Sequence, residues 1–138
     1  MLKHVNVKEL ERQFVKLLSE LLILRARFYR EASASLNEVT TEFESCRCED
    51  GGLTEHATWM LGLLNLLQRT LAHQGIHAFM DAFDDFNYED QCQIDSKDWY
   101  ALGNEVLRLD CEIKECKKQL SVAKQNCQLK QALKDAGF

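Results

Sequence analysis

From Trp99 to Cys127 the apolar residues recur at steps of three and four: Trp99, Leu102, Val106, Leu109, Ile113, Cys116, Leu120, Ala123 and Cys127. Nine such residues in an unbroken heptad pattern, with no proline, line up on one stripe of an α-helix. The spacing predicts a helix from about Lys97 to Ala136, ~40 residues and ~60 Å long at the usual helical rise. A stripe of that length must be covered by something.

The N-terminal part repeats the pattern. Asn6 reads as a helix N-cap, with Glu9 completing a capping-box-like arrangement. Val7, Leu10, Phe14, Leu17, Leu21, Leu24 and Phe28 follow at helical spacing. Leu18, Leu22 and Ile23 widen the stripe, which predicts packing against at least two neighbours rather than one narrow seam. The period blurs over Glu31 to Ser35 and resumes one step out of phase at Ala32, Leu36, Val39 and Phe43. This reads as a stutter or bend, with a break into two helices near Ser33–Ser35 as the alternative. The helix should end before Gly51–Gly52.

Thr54 is the next N-cap, and Glu55 suits the positive end of the helix dipole. Between Trp59 and Leu67 only Gly62 and Asn65 are not large and apolar. A helix apolar nearly all round is expected to be buried on most sides, gripped by the two long helices. Gly75 should end it. From Ile76 to Phe86, the residues Ile76, Phe79, Met80 and Phe83 predict a short amphipathic helix. Asn87 to Asp95 is polar and reads as a loop, after which Ser96 should cap the last helix.

These elements predict an all-α protein. It is a helical bundle with two long amphipathic, coiled-coil-like helices, a buried central helix and a short fourth helix, in a single domain over 1–138. The first and last helices are expected to be antiparallel neighbours. A homodimer is also open. A parallel pairing through the last helix would set Glu105 against Asp110 and Glu112 against Lys117, one unfavourable pair and one favourable.

Composition narrows the picture. The chain of 138 residues has no proline, six glycines and 46% apolar residues, which suits long helices and a real core. No run reaches the ~18 apolar residues of a membrane span, so no membrane partner is expected. Met1 to Glu11 is charged early and does not read as a secretory signal. The protein is expected to be cytoplasmic, with its six cysteines as free thiols.

Charge is unevenly placed. Of a net −5, residues 38–98 hold 13 acidic groups against Arg47, Arg69 and Lys97, while the flanks hold 14 basic groups against 9 acidic. An acidic pole would gather Asp81, Asp84, Asp85, Glu89, Asp90 and Asp95, with Glu38, Glu42, Glu44, Glu49, Asp50 and Asp98 nearby. A basic pole would gather Lys3, Lys8 and Lys16 with Lys114, Lys117, Lys118, Lys124, Lys130 and Lys134. Such charges are usually the solvated face of a soluble protein. The sharper reading is that the acidic pole docks a basic protein partner, including a nucleic-acid-binding protein whose groove normally holds phosphates. Direct nucleic-acid contact by Lys114, Lys117, Lys118 and Lys124 is disfavoured, because Asp110, Glu112 and Glu115 interrupt the run and no base-reading module is visible.

Chemistry is sparse. His73, His77 and Asp81 would align for a metal only on one continuous helix, and Gly75 falls between the histidines. Cys46 and Cys48, with His56 nearby, form a CxC pair without a second pair at metal spacing. Glu112 and Glu115 make a single ExxE, and there is no Gly-rich phosphate loop, nucleophile elbow or HExxH. The expectation is no catalytic, cofactor-binding or metal residues. The chain reads as a non-enzymatic protein-protein interaction module: a small regulator, adaptor or inhibitor. The alternatives are a nucleic-acid-binding protein using the basic C-terminal helix and a metal-dependent enzyme with a helical active site.

Overall fold

A computed structural model describes residues 6–137. Lys3 and the rest of the chain before Asn6 lie outside the described residues. The described chain is all-α: α1 (Val7–Glu44), α2 (Glu55–Gln74), α3 (Ile76–Asp84), α4 (Tyr88–Cys92) and α5 (Tyr100–Asp135). No strand occurs among the described residues. An isolated antiparallel bridge, Arg47 to Leu53, closes the turn at Gly51–Gly52.

α1 runs unbroken through Ser33–Ser35, so the break into two helices does not occur. The Asn6 carboxamide accepts the Lys8 N–H at 3.0 Å and caps it. Its buried residues Phe28, Ala32, Leu36 and Val39 step by 4, 4 and 3, an eleven-residue stutter absorbed within a continuous helix. The α1 and α5 chains pass through two compact units. One consists of residues 6–23 and 107–137, and the other is Leu24–Val106.

The first unit is a helix pair. Leu10, Leu17 and Leu21 of α1 and Leu109 and Cys116 of α5 are buried, and the Cys116 thiol points at the Leu10 carbonyl, 3.7 Å away. The wide stripe read from Leu22 and Ile23 is corrected here. Both are more than 60% exposed, because α5 covers one side of α1 and leaves the other to solvent. From Lys124 to Gly137 every side chain of α5 and its end is exposed. The heptad stripe therefore stops burying anything before Cys127.

The second unit is centred on aromatic rings. Trp99 packs edge-on to Phe28 (6.0 Å between centroids), Phe79 (5.1 Å) and Phe83 (4.9 Å). Such geometry adds ~0.5–1.5 kcal/mol per pair beyond area burial. The Asp95 carbonyl accepts the Trp99 indole N–H at 3.0 Å and also the Ser35 hydroxyl, fastening the start of α5 to α1. Since Ser35 meets Asp95 while Phe28 meets Trp99, α1 and the start of α5 run antiparallel in this unit. Thr54 caps α2 as its residue type predicts, accepting the Ala57 N–H at 3.0 Å. Gly75, at φ +93°, ends α2 and starts α3. α3 buries Ile76, Phe79, Met80 and Phe83, the four residues its periodicity marks.

Three local expectations are corrected. The segment read as a loop from Asn87 to Asp95 contains α4. The last helix starts at Tyr100; the Ser96 carbonyl accepts the Tyr100 N–H at 2.9 Å, while the nearby side-chain acceptor is Asp95, which takes the Lys97 N–H at 3.2 Å. α2 is not buried all round. Ala57, Met60, Leu64, Leu67 and Leu71 form its buried stripe, but Trp59 is 57% exposed and Leu66 50%. Its neighbours cover one side, so a second apolar stripe is left outside.

Candidate functional site: an acidic surface with an exposed tryptophan

The six carboxylates singled out in the sequence all belong to the second unit. Asp81 is exposed on α3, and Asp84 and Asp85 close that helix. Glu89 and Asp90 sit in the first turn of α4, where acidic groups oppose the helix dipole favourably. Gln91 brings these two groups together, donating to the Phe83 carbonyl at 2.9 Å and the Asp84 carbonyl at 3.3 Å. Asp95 lies at the Ser35 contact, which also brings it beside the C-terminal half of α1, as the chain order predicts.

Half of these carboxylates hold other groups in place. Asp84 Oδ1 accepts the Tyr100 hydroxyl at 2.9 Å. That bond, then partial burial and the charge of Asp84, raises the Tyr100 phenol above its ordinary value, against a smaller lowering by Asn104. Asp90 Oδ2 accepts the Trp59 indole N–H at 3.3 Å, bridging α4 to α2. Asp95 Oδ1 takes the Lys97 amide. Asp81, Asp85 and Glu89 are exposed.

The Trp59–Asp90 pair is the feature that the sequence reading missed. It places a large aromatic ring at the surface with its polar edge tethered, and with Glu55 one helical turn before it. The only signal for it was the second stripe Trp59, Gly62, Leu63, Leu66 running beside Met60, Leu64, Leu67.

The four candidate nucleic-acid contacts, Lys114, Lys117, Lys118 and Lys124, are exposed on α5 in the first unit. Helical spacing puts all four on one broad face of α5, within an arc of about 120°. Lys124 reaches Glu11 at 3.6 Å, and Glu112 is engaged by Arg108. Arg25, Arg27 and Arg30 are exposed on α1 around Phe28, which is fully buried.

The candidate metal spacings are separated. His73 lies on α2, and His77 and Asp81 lie on α3, with the Gly75 corner between them. The Cys46 and Cys48 thiols point to different backbone carbonyls, those of Glu42 and Leu53. His56 instead meets Gln93 and the Phe43 ring. Among the described residues no three histidine, cysteine or acidic side chains converge as a metal would require.

A groove of about 410 Å³ between α1 and α2 is bounded by Tyr29, Ser33, Asn37 and Gln68, and the Gln68 amide donates to Asn37 across it at 3.2 Å. Its lining carries no acid-base pair of the kind a catalytic pocket uses. No helix of the described residues is long and apolar enough to cross a membrane. Compared with protein-family models, with curated proteins and with solved structures, the chain matches none.

Proposed function

We propose that this chain is a non-enzymatic, cytosolic protein-protein interaction module, a small regulator, adaptor or inhibitor that docks a basic protein surface on its acidic unit. The observation that carries this reading is the half-exposed Trp59 ring, held by Asp90 amid a unit with fifteen acidic and six basic side chains. Tethered aromatic rings are the usual energetic anchors of interfaces, and surrounding carboxylates select basic partners and speed their approach. A partner whose groove normally holds phosphates has the required charge.

The test is a tagged capture from the source cell, with and without nuclease, using the natural chain, Trp59→Ala, and a reversal set Asp81→Lys, Asp85→Lys and Glu89→Lys. That set leaves Asp84, Asp90 and Asp95 to hold the fold. A nuclease-resistant protein partner lost from both variants is the expected result. A partner retained by both variants overturns the surface assigned here. Recovery that disappears with nuclease moves the function to nucleic acid and the α5 lysines.

A further inference from the structure

Both units leave apolar helix stripes in solvent, and the charges beside one stripe of α1 and one of α2 are opposite in sign. In the first unit, the side of α1 away from Leu10, Leu17 and Leu21 presents Val15, Leu22 and Ile23, all exposed. Lys8, Arg12 and Lys16 fall on that same side at helical spacing. With Val15 and Glu11 they edge an open depression of about 570 Å³. The described part of this unit holds ten basic and seven acidic side chains. In the second unit, the outer stripe of α2 presents Trp59 and Leu66, with Asp90 bonded to the indole and Glu55 one helical turn before it.

We propose that the outer stripe of α2 is a docking site for the outer stripe of α1 from a second copy of this chain. The argument is charge complementarity. Aliphatic side chains set between lysines and arginine meet an indole set beside Asp90 and Glu55. This rests on reading the Trp59 surface as a docking site, and it names one occupant by chemistry the chain itself supplies. The indole is already fixed by Asp90, so docking against it costs little side-chain freedom. The two surfaces are unlike. The contact therefore either repeats about a twofold axis, each copy giving α1 and receiving on α2, or propagates head to tail.

Sedimentation velocity on the full chain across a concentration series, at low and high salt, reads this directly. The mean mass should rise with concentration toward twice the chain mass or beyond at low salt, and fall back at high salt as rim charges are screened. The set Lys8→Glu, Arg12→Glu and Lys16→Glu should be monomeric alone. So should Glu55→Lys with Glu89→Lys. An equimolar mixture of the two should associate again, because each now complements the other. Circular dichroism melts establish that both variants are folded. A natural chain that stays monomeric at every concentration and salt overturns the proposal. So does association that neither reversal weakens, which would place the contact elsewhere, such as Val122, Leu129 and Leu133 on α5. A monomer that still captures a partner through Trp59 loses this inference alone, whereas association with no captured partner loses only the function proposed above.

Discussion

Gly103 marks the closest approach of α5 to the aromatic core. A Cβ there would sit 2.5 Å from Met80 Sδ and 2.9 Å from Phe28 Cε2. The Met80 side chain can bend, but the Phe28 ring is wedged between Phe79 and Trp99. Gly103→Ala should therefore destabilise by ~1–3 kcal/mol, the usual range for overpacking, read as a lower urea midpoint with unchanged slope. Tyr100 reports on pH. Its folded-state value is raised by donating to Asp84, so the neutral phenol is the form the fold prefers. The stabilisation is full below the unfolded tyrosine value of about 10 and is lost as pH rises through the higher folded value. The stability advantage of the natural chain over Tyr100→Phe should thus shrink in strongly alkaline solution. Ultraviolet titration should show one late-ionising phenol removed by the substitution, with Tyr88, raised by its hydrogen bond with Cys92, remaining. Trp99 was readable as core because it begins the longest heptad stripe. The Trp59–Asp90 bond was not, because it joins residues 31 positions apart on different helices, and no local pattern encodes that meeting.

At the scale of elements, legibility followed periodicity. α3 was readable in its start and its buried face, since four apolar side chains at helical spacing follow a glycine, but it ends at Asp84, two residues before Phe86. α4 was not, because Tyr88-Glu89-Asp90-Gln91-Cys92 has no apolar period and is held by tertiary bonds from Gln91. α2 shows the limit of composition: apolar content tells that a helix can be buried on all sides, whereas the number of neighbours decides whether it is. The same holds for α1 at Leu22 and Ile23, and for α5 beyond Lys124, where a continuing heptad finds no described partner. The caps are local and hence predictable. Thr54→Ala should lose the bond to the Ala57 N–H and cost ~1 kcal/mol, seen as a drop in the melting temperature that Thr54→Ser largely restores.

For the whole molecule, the acidic excess read over residues 38–98 lies inside the second unit, which also takes in Arg25, Arg27 and Arg30 from the flank, and the first unit keeps a basic excess. Neither unit is neutral, and each has an apolar stripe facing water. The fold class was legible because helical periodicity dominates so much of this chain. The candidate surface was half legible: its charge could be counted, but its aromatic anchor appeared only once α2 had been given its neighbours. Chain length at one place is constrained in a way that neither charge nor burial expresses. α1 carries Phe28 to the Trp99 ring and Ser35 to the Asp95 carbonyl on one uninterrupted helix. Inserting a single residue between them would turn one against the other by about 100°, so that the two contacts to the start of α5 could not both be kept. A one-alanine insertion there should lower the melting temperature strongly, while the same insertion at the exposed Gly51–Gly52 turn should leave the melt nearly unchanged. Natural variants of this chain should accordingly tolerate added or lost residues at that turn and almost none between Phe28 and Ser35.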